Sequence, residues 1–392
     1  MKLEKFKDLI QSCNINFLIG SGASRPYLST LEKIETLLTE VNKQNPAKKK
    51  LIQASLYSAY CKQVIFPNLK SQIDNYKGSN MVKHIQYSDV LKNYCNLLRT
   101  INKIVLLRHN NLLTKQINLF TTNIDVFLEK ALEESGLEFN DGFKGKINPV
   151  FDLSNFQKSY SKTSSQYDNV SEIPVFNLLK LHGSINWELN NDDQITYSPL
   201  LGQVDKVMTE LDIIPSKYLL EITNDSKYTG LVDEADKIEN EFDFTKFLSQ
   251  YNKLLIVNPT KEKFQRTLFD EYFYEMMRIY ANALEKQNSI LFVMGFSFAD
   301  EHIKHITLRA ANSNPTLQII VFAYKKDDVE KIKVEIGSFR NNNISIIDAE
   351  EFVKSNETDN DKIADRLKNF DCQSIEKEVF SKIKELIGAK QK

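Results

Sequence analysis

An open, mostly parallel α/β sheet is the fold class this sequence predicts, and three observations carry it. Short apolar runs alternate with stretches of helical periodicity over the whole length. The runs Ile15–Ile19, Asn177–Leu181, Leu254–Val257 and Ser289–Met294 are near-continuously apolar, as strands covered by helices on both faces are. Several runs end in small or polar residues, Gly20, Asn123, His182 and Gly295, and such sheets bind ligands outside the carboxyl ends of their strands.

The elements follow in chain order. Residues 1–8 read as an amphipathic helix rather than a signal peptide, because acidic residues interrupt the segment at once. Ile15 to Gly20 is the first strand. Leu31, Ile34, Leu37, Leu38 and Val41, then Val90, Leu91, Tyr94, Leu97, Leu98 and Ile101, recur at helical spacing, so 28–115 is expected to be a helical insertion. Asn45-Pro46 marks an exposed turn inside it, and Lys48, Lys49 and Lys50 beside it read as a solvated face. Gln116 to Thr122 is the next strand, with a helix to about Ser135. Residues 154–171, rich in Ser, Tyr, Gln and Asn, read as a mobile loop. Asn177 to Leu181 is the third strand. The acids of 231–243 are expected on a solvated loop or helix face. Leu254 to Val257 is expected as a further strand, with Thr260 as the cap of a helix whose stripe is Phe264, Leu268, Phe269, Tyr272, Met276, Tyr280 and Leu284. Ser289–Met294, Leu317–Ala323 and Asn343–Ile347 are strands, and Ser374–Ile387 is an amphipathic helix. The domain reading is 1–27 with 116–330 as the sheet domain, 28–115 as the insertion, and 331–392 as a strand–helix extension.

Composition narrows the function. Over 392 residues, 51 Lys+Arg stand against 52 Asp+Glu, a net charge of −1, which excludes a globally basic nucleic-acid binder. A hydrophobic share of 42% excludes a disordered chain. Cys13, Cys61, Cys95 and Cys372 are too scattered for a disulfide framework or a CxxC metal site, and read as reduced thiols of a cytoplasmic protein. No apolar run reaches the roughly 18 residues of a membrane span.

Four turns carry the chemistry. Gly20-Ser21-Gly22-Ala23-Ser24 could let backbone N–H groups approach a pyrophosphate, and Arg25, where a third glycine would stand, could pair with a phosphate. A tight strand–helix turn is the plain alternative. In Thr121-Thr122-Asn123-Ile124-Asp125, one residue suffices to cap a helix, which leaves a carboxamide able to hold a hydroxyl or a water. Lys180-Leu181-His182-Gly183-Ser184 offers an imidazole suited to general-base work near neutral pH, beside a glycine that keeps the backbone open. Gly295-Phe296-Ser297 could cradle a phosphate or ribose, while Asp300 could simply cap the next helix. His302 and His305 lack an evident third metal ligand. There is neither a GxxxxGK[ST] loop nor a GxSxG elbow.

In this order the four turns resemble the glycine-rich, TQNID, KxHG and GTS motifs of the sirtuin superfamily, over residues 13–27 and 116–325. The resemblance implies a Rossmann-like fold that binds NAD+ and breaks its nicotinamide–ribose bond. It implies that Asn123 positions a ribose hydroxyl or water, that Asp125 helps hold the ribose and nicotinamide, and that His182 is the general base. Gly20, Gly22 and Ser24 would line the pyrophosphate and Gly295 and Ser297 would meet the adenosine side, with Ser21, Ala23, Arg25, Thr122 and Gly183 also binding the cofactor. The zinc module of the deacylases is missing, since no cysteine lies between Cys95 and Cys372, so no zinc is expected. Thr122 replaces the motif's glutamine, and the later strand-end asparagine is not evident in Ile320-Val321-Phe322-Ala323. The chain looks more like the bacterial sirtuin-like proteins of antiphage defence, which hydrolyse NAD+. Its size and layout are similar to the sirtuin-like subunit paired with a HerA-type ATPase. A homo-oligomer or partner gate is expected for such an activity. A protein deacylase or ADP-ribosyltransferase and a non-catalytic NAD or ADP-ribose sensor are the other readings.

Overall fold

The computed structural model describes residues 1–30, 32–108, 113–166, 169–239, 242–258, 267–356 and 367–389. The strands are β1 (Asn14–Ile19), β2 (Gln116–Thr121), β3 (Phe139–Asn140), β4 (Phe143–Lys144), β5 (Val150–Phe151), β6 (Tyr160–Thr163), β7 (Val170–Ile173), β8 (Val175–Lys180), β9 (Trp187–Leu189), β10 (Ile195–Tyr197), β11 (Ser289–Met294), β12 (Gln318–Phe322) and β13 (Ile344–Ile347). Seven of them form one sheet in the order β13-β12-β11-β1-β2-β8-β3, and every pair in it is parallel. The other six make three short antiparallel hairpins. The sequence's open, mostly parallel α/β sheet is therefore observed.

Strand alternation divides the core in two. Ile15, Phe17 and Ile19 point to one face, which is covered by α1 (Leu3–Ser12), α5 (Met81–Leu106), α6 (Phe127–Glu134), α13 (Ala349–Asn356) and the C-terminal helical stretch 372–388. Leu18 joins the other face, under α10 (Thr267–Glu285), α11 (Glu301–Ser313) and α12 (Lys326–Ile336). Phe6, Phe17, Phe292, Phe322 and Phe380 interlock across the first face, with ring centroids 5.2–6.4 Å apart. Each such buried ring contributes about 2 kcal/mol of transfer free energy.

A third core is all helical. It joins α2 (Glu32–Gln44) and α3 (Lys49–Tyr60) to α7 (Gly202–Asp212), α8 (Tyr228–Asp236) and α9 (Thr245–Tyr251). Tyr57 stacks on Tyr251 at 4.1 Å and binds the two stretches of chain together. In α8, Leu231 and Ala235 are buried while Asp233, Glu234 and Asp236 face out, so these acids occupy a solvated helix face.

The sheet also carries a polar rung. Asn16, Asn118, Asn177 and Asn140 stand in register on adjacent strands. Asn118 donates to Asn16 at 2.8 Å, Asn177 donates to Asn118 at 2.9 Å, and Asn16 donates to the Ile290 carbonyl at 3.2 Å. A slip of strand register would orphan these buried amides.

Two expectations are corrected. Leu254–Val257 is buried but joins no sheet. It makes one antiparallel bridge, Ile256 to Gly183, and its backbone bonds go to the turn after β8: Ser184 N–H donates to the Leu255 carbonyl and Val257 N–H to the His182 carbonyl. Residues 154–171 are not simply a loop: a 3₁₀ turn at Leu153–Gln157 precedes β6 and β7, which pair along four residues each. Their exposed faces explain the polar composition. Thr260 and Phe264 lie outside the described residues, as do the side chains of Leu268 and Phe269.

Candidate functional site

Chain order in the sheet creates a switch point. From β1 the chain runs outward through β2 and β8 on one side, and β11, β12 and β13 run outward on the other. The four motif turns follow β11, β1, β2 and β8, which are four adjacent strands, so all four lie at one sheet edge.

The turns are tied together by backbone contacts. Gly22 N–H donates to the Gly295 carbonyl at 2.9 Å, and Gly20 N–H to the Met294 carbonyl at 3.0 Å. A Cβ on Gly20 would fall 2.4 Å from the Gly295 oxygen, and one on Gly295 would fall 2.3 Å from Ala23 N. Gly295 also sits at φ +64, so glycine is required there for conformation as well as space. On the other side, Leu181 N–H donates to the Thr121 carbonyl at 2.8 Å, and Ile185 N–H to the Ile124 carbonyl at 3.1 Å. Gly183, at φ +72, turns the chain directly after His182.

Ser24 is the hub of the first polar cluster. Its hydroxyl donates to Asp125 Oδ2 at 2.9 Å, and accepts from Asn123 Nδ2 at 3.3 Å and from the Tyr94 hydroxyl at 3.2 Å. One donation and two acceptances exhaust a hydroxyl, which fixes every hydrogen in the cluster. Asp125 Oδ1 accepts from Phe127 N–H at 3.1 Å and anchors the start of α6. Asn123 is therefore oriented with its nitrogen toward Ser24, and its buried Oδ1 has no protein partner. Burial, reinforced by the Asp125 charge, holds the Tyr94 phenol well above its usual value, so it acts as a neutral donor. Below the cluster, Lys180 Nζ donates to the Asp125 carbonyl and lies 3.2 Å from Glu129 Oε1. Burial pushes the Glu129 carboxyl up, and Lys180 opposes that shift.

His182 forms the second cluster. Its Nε2 lies 3.0 Å from Asp300 Oδ2, with both side chains largely buried. The ring N–H is off the line to that oxygen, so the contact is an electrostatic one rather than a straight hydrogen bond. Asp300 Oδ1 caps α11, accepting from His302 N–H at 3.0 Å and Ile303 N–H at 3.1 Å. The Phe273 ring lies 6.4 Å from the imidazole.

The remaining sequence-predicted residues have these places. Ala23 is buried, Ser21 and Thr122 are half-buried, and Arg25 and Ser297 are exposed at the rim. Ala23 N–H donates to the Gly20 carbonyl at 3.0 Å, so the N–H groups of Gly20, Gly22 and Ala23 are all engaged within the protein. The tight-turn reading of this segment is thus satisfied by its own bonds, and the Arg25 guanidinium is the charge exposed beside it. Sequence reasoning missed Tyr94, Phe273 and the Lys180–Glu129 pair, and named Asp300 only as a cap. Among the described residues, no group of three or more His, Cys, Asp or Glu is placed to hold a metal ion, and no helix is long and apolar enough to cross a membrane.

No family model matches this chain, and no curated protein matches it. Among solved structures, a Sir2 mutant with a deacetylated p53 peptide and 3'-O-acetyl ADP-ribose is similar, at TM-score 0.41 and 11% identity over 97% of this chain and 98% of that one. A second Sir2 mutant, with a p53 peptide and NAD, is similar at TM-score 0.38 and 11% identity over the same shares.

Proposed function

We propose that this chain is an NAD+ hydrolase that releases nicotinamide and ADP-ribose. The observation that carries the reading is the buried, unpartnered Oδ1 of Asn123, fixed by the bond of its Nδ2 to Ser24, after the strand that neighbours the one leading to His182. An acceptor next to a base, at the switch point of a parallel sheet, suits a water or ribose hydroxyl that must be held and deprotonated. The four motifs in sirtuin order support NAD+ as the substrate.

In the proposed reaction the C–N bond between ribose and nicotinamide breaks, and nicotinamide leaves with the bonding electrons. Asn123 Oδ1 accepts a hydrogen bond from the attacking water. His182 takes the water's other proton as the new C–O bond forms. The Asp125 carboxylate, buried nearby, places negative charge near the developing oxocarbenium. Arg25 faces the phosphates. The further proposals are a cytoplasmic role in antiphage defence by NAD+ depletion, a homo-oligomeric assembly, and gating by that assembly or by a HerA-type ATPase.

The test is nicotinamide and ADP-ribose formation from NAD+ by purified protein, with and without a HerA-type ATPase, beside His182→Ala and Asn123→Ala. Release that both substitutions abolish supports the hydrolase. NAD+ bound but uncleaved under every condition would replace it with the sensor reading. Acyl-lysine turnover without release from NAD+ alone would replace it with the deacylase.

A further inference from the structure

We propose that Asp300 is a positioning residue for His182, setting which imidazole nitrogen is the base. The proposal rests on the hydrolase reading for its kinetic consequence, but its structural content stands by itself.

Asp300 Oδ1 accepts two backbone N–H groups at the start of α11, so this oxygen is committed as an acceptor and the carboxylate cannot rotate away. Its other oxygen, Oδ2, is thereby held 3.0 Å from His182 Nε2. The main chain on both sides is constrained too. Phe298 is 1% exposed and sits at φ +63, and Gly295 is pinned against Ala23 and Gly22. On the histidine side, the His182 carbonyl accepts Val257 N–H at 2.9 Å, so the buried Leu254–Val257 segment braces the turn that carries the ring. A carboxylate only accepts hydrogen bonds. The Asp300 charge, 3.0 Å from Nε2, favours a proton on that nitrogen over a lone pair, so Nε2–H is the tautomer of neutral His182 and Nδ1 is the basic nitrogen.

The same cap makes Asp300→Asn an unusually informative substitution. Asparagine caps helices as well as aspartate does, and it must present its Oδ1 to the two backbone N–H groups. Its Nδ2, a donor only, then faces His182. Nε2 must become the acceptor, which moves the ring proton to Nδ1. One substitution thus preserves the fold and inverts the tautomer. A tautomer inversion of this kind lowers turnover by about 10⁴-fold in the serine-protease triad, and a loss of that order is expected here. Asp300→Ser keeps a cap oxygen but is too short to reach the ring. It leaves the tautomer unset and is expected to cost about 10²-fold.

The experiment is nitrogen NMR on full-length protein labelled at histidine, with the His182 ring assigned by its loss in His182→Gln, together with nicotinamide release by each variant. Protonation at Nε2 in the native protein and at Nδ1 in Asp300→Asn, with matching thermal midpoints, supports the proposal. The same tautomer in both overturns it. Full turnover in a correctly folded Asp300→Asn also overturns it, as does a gain in turnover, which would make Asp300 a latch on the histidine. If the tautomer inverts while the native protein releases no nicotinamide, the positioning role stands and the hydrolase reading falls.

Discussion

The two polar clusters at the sheet edge are built on opposite principles. Around Ser24, every hydroxyl and carboxylate oxygen has its partner, and one carboxamide oxygen is left over. Around His182, the imidazole meets Asp300 through one short, imperfectly aligned charge contact, with the Phe273 ring beside it. A fully satisfied network is rigid and holds an acceptor at a fixed point. An imidazole beside a carboxylate fixed by its own helix cap keeps its place while it exchanges a proton with a ligand. The difference assigns holding to the first cluster and proton movement to the second.

That contrast is sharpest in His182→Ala. Nicotinamide release is expected to fall by about 10³-fold, while the thermal midpoint stays where it was, because the ring makes no fold-bearing bond. A large loss of stability would erase the distinction between the clusters. Asp125→Ala should behave oppositely. It removes the bond from Ser24 and the anchor of α6, and should cost about 2–3 kcal/mol in chemical denaturation, as well as turnover. Ser24→Ala strips both donors, Asn123 and Tyr94, of their acceptor and frees the amide to rotate. A stability loss of about 1–2 kcal/mol is expected, with turnover reduced more than NAD+ affinity. Glu129→Gln leaves the buried Lys180 ammonium without its carboxylate and should cost stability at neutral pH, with a pH dependence of its own. Burial holds the Glu129 carboxyl above its ordinary value in the folded chain, so folding favours its protonated form. Its stabilising contribution is present below the ordinary carboxyl range and is lost as pH rises through the raised value. The variant's stability should therefore improve relative to the native protein as pH rises above the ordinary carboxyl range, measured by thermal midpoints at each pH. No change in that difference would place Glu129 outside the buried network.

How much of this was legible in the sequence follows from the range of the interactions. The strands β1, β2, β8 and β11 are short apolar runs with polar ends, and local pattern alone located them. Leu254–Val257 has the same local pattern and is no sheet strand: its backbone bonds go to the turn at His182–Ser184, a partner that the local pattern does not carry. The hairpin β6–β7 was hidden because both its faces are exposed, which removes the alternation that marks a half-buried strand. The asparagine rung sits among apolar residues, and nothing in one strand announces its neighbours. Asp300 illustrates the same limit within the site. Its cap is written in the adjacent sequence, whereas its contact with His182, 118 positions earlier in the chain, exists only after the sheet has closed.

The central place of β1 has a consequence for synthesis. β1 emerges first, yet its partner β11 is far away: Asn16 bonds to Ile290 across 274 positions. Until β11 is made, the growing chain can complete only the β1-β2-β8-β3 half of the sheet, with the edge of β1 open. Pairing over such a separation is slow, and an open edge invites contact with other nascent chains. A ribosome that stalls before residue 289 would leave a product with Ser24, Asn123, Asp125 and His182 but without Asp300. Chaperone occupancy during translation should be heaviest in that interval, and assembly of the chemistry should wait for its last third.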